Sequence, residues 1–136
     1  FFKQKTAYEI VDCDWSSDVC SSDLDWFKAN GGMAWTTART AESAGILYNW
    51  AQASPHATPF VADPAKRSNV VVTIDFDESI DAAELAAILR RNGIVDIEPY
   101  RKLGRNQLRV SVFPAVEPSD VRKLTRSIDY VIAAQA

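Results

Sequence analysis

Three arginines fall within residues 98–114, EPYRKLGRNQLRVSVFP: Arg101, Arg105 and Arg109. A planar guanidinium donates two parallel hydrogen bonds, which suits a carboxylate or a phosphate. From Gln107 onward apolar and other side chains alternate, the period of a strand. Leu108, Val110 and Val112 share one face; Arg109, Ser111 and Phe113 share the other. A guanidinium in the middle of a strand needs an anionic partner or open water. The residues alone leave both roles open for Arg109: ligand to an anion, or a solvated or structurally paired cation. The working expectation is that the stretch holds a small dianionic substrate.

The neighbouring elements must position these arginines. Residues 70–76, VVVTIDF, are rich in β-branched side chains and predict a strand. Both faces are apolar at its start, so it reads as central. After a turn at 77–80, Asp81 and Glu84 have the spacing of a capping box. The helix that follows buries Leu85, Ile88 and Leu89. Gly93 ends it, and Ile94 can pack back on its last turn. Residues 95–100 predict a short strand broken at Pro99, and 107–113 a third strand. Pro118 suits the first turn of a last helix, where its missing N–H costs nothing. That helix presents Val121, Leu124, Ile128 and Val131 at helical spacing.

Upstream, Asn30-Gly31-Gly32 predicts a turn and residues 33–53 a long helix. Its apolar positions include Trp35, Ala38, Ile46, Leu47 and Trp50, which read with Tyr48 as packing. Residues 54–69 contain Pro55, Pro59 and Pro64, which predict an extended, ordered loop. His56 lies in this loop with no visible partner to make it a base. Arg67 is expected to pair with an acid or a backbone carbonyl.

The predicted class is α+β: a small three-stranded sheet in the order β-α-β-β-α, with helices on one face and a long helix before it. The uncovered face would carry Arg109, Ser111 and Phe113, and must meet a domain, a partner or a ligand. The chain has 136 residues and a net charge of −3, which gives no bulk attraction to nucleic acid. One His and two Cys are too few for an ordinary zinc site. No apolar run reaches the roughly 20 residues that span a bilayer, and no signal-peptide pattern is legible.

Residues 1–24 break from the rest. They have no clear period, hold both cysteines, and carry two lysines against five acids, the whole chain's net charge. KQKTAYEI and DWSSDVCSSDL look like translated sequencing-adapter oligonucleotides. The segment is expected to be a non-native, disordered artefact, and Cys13 and Cys20 are not expected to form a disulfide or a metal pair. Residues 25–54 are then an inter-domain helix and 55–136 a small domain. Without those cysteines the chain suits the cytoplasm.

The strings NGGMAWTTARTAESAGILYNWAQ, TPFVADPAKRSNVVVTIDF and NGIVDIEPYRKLGRNQLRVSVFPAVEPSDV resemble the C-terminal part of the phosphoserine aminotransferase family. This is a family of class V pyridoxal-phosphate (PLP) aminotransferases, and the likeness is to its actinobacterial form. It extends over residues 25–136. The resemblance implies the C-terminal small domain of a fold-type-I PLP homodimer. It implies amino transfer between L-phosphoserine and 2-oxoglutarate in serine biosynthesis. In such enzymes an Arg-x-Ser strand motif binds the substrate α-carboxylate, and Arg109-Val110-Ser111 matches it. A His-Arg pair upstream helps hold the phosphate; Tyr100-Arg101 falls there, with Tyr in place of His and a longer following loop. Arg105 would share that role or cap the turn in water. The cofactor's lysine belongs to a large domain outside this sequence, so PLP is expected to bind there and the chain alone to be inactive. Two rival readings are a ferredoxin-like regulatory amino-acid-binding module, which shares the strand order, and an RNA-binding sheet, which would need more stacking aromatics than Phe113.

Overall fold

The computed structural model describes residues 18–100 and 102–135, with side chains from residue 23 onward. Arg101, Cys13 and the expected disorder of residues 1–17 lie outside the described residues, as does the side chain of Cys20. The elements are α1 (Asp18–Ala29), α2 (Gly32–Ala53), β1 (Ala57–Pro59), a 3-10 turn (Pro64–Lys66), β2 (Val71–Phe76), α3 (Ala82–Arg91), β3 (Gln107–Ser111) and α4 (Pro118–Gln135). They fall into two compact units divided between Thr36 and Thr37. Among the described residues no helix is long and apolar enough to cross a membrane.

In the first unit, α1 begins six residues before the expected end of the artefact segment at Leu24. Gly31 has φ +105° and lets the chain reverse, with Trp26 and Trp35 meeting edge to face at 5.5 Å.

The second unit is a three-stranded antiparallel sheet in the order β1-β2-β3 with helices packed on one face. The expected class holds, but the strands are not all the expected ones. Residues 95–100 do not form a strand. Asp96 turns the chain with φ +64°, and Pro99 has no N–H to give. One bond of ladder type remains, from the Arg109 N–H to the Ile97 carbonyl at 3.0 Å. The third strand is instead Ala57–Pro59, inside the connector read as a loop. It pairs Ala57 with Phe76 and Pro59 with Ile74. Pro59 closes this edge strand, where a missing donor is tolerated. The order is therefore β-β-α-β-α.

The core lies between sheet and helices. β2 buries Val72, Ile74 and Phe76, and β3 buries Leu108 and Val110, with Val112 just beyond it. Against them pack Leu47 and Ala51 of α2, Leu85 and Leu89 of α3, and Val121, Leu124 and Ile128 of α4. In α2 the inward stripe is Thr40, Ser43, Ala44, Leu47, Tyr48 and Ala51, while Trp50 is only partly buried and donates to Asp129. Small residues on the stripe let the long helix approach closely. α3 ends as expected: Gly93 has φ +86°, and the N–H groups of Gly93 and Ile94 bond the carbonyls of Arg90 and Leu89. Asp81 caps its start, accepting from Ala83 and Glu84.

Asn106 fastens the turn after β2 to the start of β3. Its amide donates to the carbonyls of Phe76, Asp77 and Ile80, and its Oδ1 accepts from the Ala82 N–H at 2.9 Å. One side chain thereby closes β2, opens α3 and sets where β3 begins.

Candidate functional site

Antiparallel register decides which side chains share the uncovered face. Thr73 stands opposite Arg109, Asp75 opposite Gln107, and Val71 opposite Ser111. The neighbours of these residues along each strand point into the core, so this set points away from the helices.

Arg109 is exposed on this face. Its guanidinium carbon lies 5.7 Å from the centre of the Tyr100 ring, within cation–π range. Among the described residues no carboxylate forms an ion pair with it. Its backbone N–H is used by Ile97, so the strand position is fixed while the side chain stays open to solvent.

Tyr100 is 49% exposed and leads into Arg101. The segment before it is anchored by Arg90. That guanidinium bonds Asp96 at 3.1 Å and also pairs with Glu98. Its hydrogen bond holds the Glu98 carboxyl below the usual glutamate range. The loop bearing the candidate residues is thus tied to the C-terminus of α3.

Arg105 is placed differently. Its Nη2 lies 2.5 Å from Asp75 Oδ2, and its Nε donates to Oδ1 at 3.4 Å. The Gln107 amide donates to the same Oδ1 at 2.8 Å. The Arg105 guanidinium also lies 4.9 Å over the Phe60 ring. The structure therefore brings Arg109 and Tyr100 together and engages Arg105 with an internal acid. Asp75, Gln107 and Phe60 escaped the sequence reading. The legible signal was Asp75 itself, a charge in an otherwise apolar strand that had to find a cation.

His56 does have a partner, which corrects the sequence reading. Its Nδ1 lies 3.2 Å from Asp77 Oδ2 and 3.2 Å from Ser79 Oγ. Ser79 also bonds Asp77 through its hydroxyl and its N–H, and these bonds lead in drawing the Asp77 carboxyl below its usual range. Serine and aspartate meet the same ring nitrogen, so there is no relay in which one nitrogen takes a proton from serine while the other is oriented by the acid. The cluster fixes the β1–β2 end. Arg67 is held by the carbonyls of Val61 and Ala62 and stacks on Tyr48, not by an acid. Among the described residues no cluster of His, Cys, Asp and Glu is suited to a metal ion.

This architecture is shared by solved aminotransferases. The phosphoserine aminotransferase of Bacillus circulans subsp. alkalophilus superposes with a TM-score of 0.74 at 20% identity, over 83% of this chain and 31% of that one. A PLP-bound phosphoserine aminotransferase of Trichomonas vaginalis superposes at 0.69 and 16% identity, over 89% and 36%. In sequence the chain is homologous to phosphoserine aminotransferases: it is 62% identical over 115 residues to that of Rhodococcus opacus strain B4. The match takes in 85% of this chain and 31% of the relative, so the chain spans under a third of the relative's length. No family model matches the chain. Neither comparison supports the ferredoxin-like module, and among the described residues the sheet has three strands and no fourth to complete one.

Proposed function

We propose that this chain supplies the substrate-anion side of a phosphoserine transaminase, which moves an amino group between L-phosphoserine and 2-oxoglutarate. The observation that carries the reading is the Arg109 guanidinium on the uncovered face, without an acid partner among the described residues. Arg109 binds the α-carboxylate through its fork, and the strand fixes its distance from the core. Tyr100 lies against that guanidinium and limits where it can swing. Arg101, next in sequence, takes the phosphate. Two separated cations favour a substrate with two anionic groups over uncharged amino acids.

PLP supplies the electron sink for such a transfer. The described lysines do not fit its attachment: Lys28, Lys66, Lys102 and Lys123 are all exposed, and Lys28, Lys66 and Lys123 pair with Asp25, Asp63 and Asp120. The cofactor belongs to the part of the relatives that this chain does not span. The reading includes a cytoplasmic homodimer as the intact form, on the resemblance and the lack of cysteine after residue 20. It also keeps residues 1–24 as non-native; the 115-residue match leaves about that length of the chain unmatched.

The test compares two proteins. The 136-residue chain with added PLP should show no transamination of phosphoserine. Residues 25–136 joined to the upstream length the relatives possess should be active, and Arg109→Ala should remove that activity. Activity surviving in Arg109→Ala would overturn the assignment.

A further inference from the structure

Asp75 and Arg109 lie on the same face, close enough to pair, and do not. In the β2–β3 register Asp75 stands opposite Gln107, two positions from Arg109. Such diagonal neighbours are about 7–8 Å apart, within reach of a long side chain. The carboxylate is occupied instead. Oδ2 is taken by Arg105, and Oδ1 by Gln107 and more weakly by the Arg105 Nε. Gln107 is 1% exposed, so its bond is shielded from water. The Asp75 side chain is 18% exposed beneath an Arg105 that is 48% exposed and laid over Phe60. Arg105 and Phe60 form a lid on one acid.

The charges make the consequence definite. Asp75 with Arg105 is neutral, which leaves Arg109 as a cation on this face with no compensating acid among the described residues. An unpaired carboxylate on the diagonal would compete with any incoming acid for that guanidinium and would repel a second anionic group. We infer that Arg105 is a positioning residue: by occupying Asp75 it keeps Arg109 available to an anionic ligand, and it does not bind that ligand itself. This rests on the reading of Arg109 as the anion-binding arginine and assigns Arg105 a separate part in the same site.

The test uses the 136-residue chain, isotope-labelled, with Arg105→Met, Asp75→Asn and the double variant. Methionine keeps an apolar stem against Phe60 while removing the charge. Circular dichroism reports folding, and Arg105→Gln serves if the methionine variant does not fold. The first readout is hydrogen exchange at the Arg109 Nε–H, by NMR. Exchange should slow several-fold in Arg105→Met as Asp75 captures Arg109, and return to the parent rate in the double variant. The second readout is titration with L-phosphoserine. Arg105→Met should weaken binding several-fold, and Asp75→Asn in that background should restore it. An Arg109 signal indifferent to Arg105→Met overturns the inference. So does a double variant as weak as Arg105→Met, which would make Arg105 a direct ligand. If Arg109→Ala leaves phosphoserine titration unchanged, the anion-site reading fails, while the exchange experiment still decides whether Arg105 holds Asp75 off.

Discussion

The Arg109 guanidinium lies 5.7 Å from the centre of the Tyr100 ring, joining strand β3 to a loop that forms no strand with it. A cation over an exposed ring is worth about 0.5–1 kcal/mol. The contact therefore orients the arginine more than it stabilises the fold. Tyr100→Phe keeps the ring and should leave phosphoserine affinity in the assembled enzyme within about twofold, whereas Tyr100→Leu should weaken it by about threefold, the equivalent of losing a contact of that size. Equilibrium titration of the two variants separates these outcomes.

Arg109→Lys removes the fork and keeps the charge. Lysine offers a point charge where two parallel hydrogen bonds are needed. Loss of one charge-assisted bond costs about 1.5–3 kcal/mol, so kcat/KM for phosphoserine in the assembled enzyme should fall by roughly 10- to 100-fold. Stability should stay within about 0.5 kcal/mol, as for other exposed positions. A melting curve beside the kinetics checks both halves.

Asn106→Ala should be among the most damaging polar substitutions in the second unit. It strips partners from three carbonyls and from the first N–H of α3. At about 1 kcal/mol for each well-made bond, partly replaced by water, the loss should be about 2–3 kcal/mol in urea unfolding. Asn106→Asp retains the acceptor for Ala82 and should recover only a part of it.

Acid should loosen the loop before the core. Arg90 holds the Glu98 carboxyl below its ordinary range, so the folded state binds that proton less readily than the unfolded chain. The contribution is fully present above the unfolded value of about 4.3 and is lost as pH falls through the lower folded value. Glu98→Gln should flatten stability against pH below about 4.3 and leave its slope at neutral pH unchanged. Carbon-detected titration of the Glu98 carboxyl, with unfolding curves at several pH values, follows both effects.

Gly93→Ala should destabilise by about 1–2 kcal/mol, since its left-handed backbone penalises a Cβ even where space is open. Gly93→Asn should cost less, because asparagine tolerates that region. Thermal melts of the two variants give the comparison directly.

The elements with strong local signals were legible in the sequence. Gly93 and Ile94 announced the end of α3, Asp81 its start, and the alternation from Leu108 to Val112 placed Arg109 on the uncovered face. What failed depended on pairing. β1 is three residues, the last of them Pro59, and only contact with β2 makes it a strand. Residues 95–100 look like a strand by composition but are bent by Asp96 and Pro99 and tethered by Arg90. The arginines could be found one by one, but not their partners. Asp75 lies thirty residues before Arg105, and no local pattern joins them.

With Phe60, Val70, Tyr100 and Phe113 all more than a third exposed, this polypeptide keeps oily surface in water, which under the proposed function the remainder of the enzyme would hide. Made by itself at high concentration, it should self-associate, and its solubility should rise when those side chains are made polar.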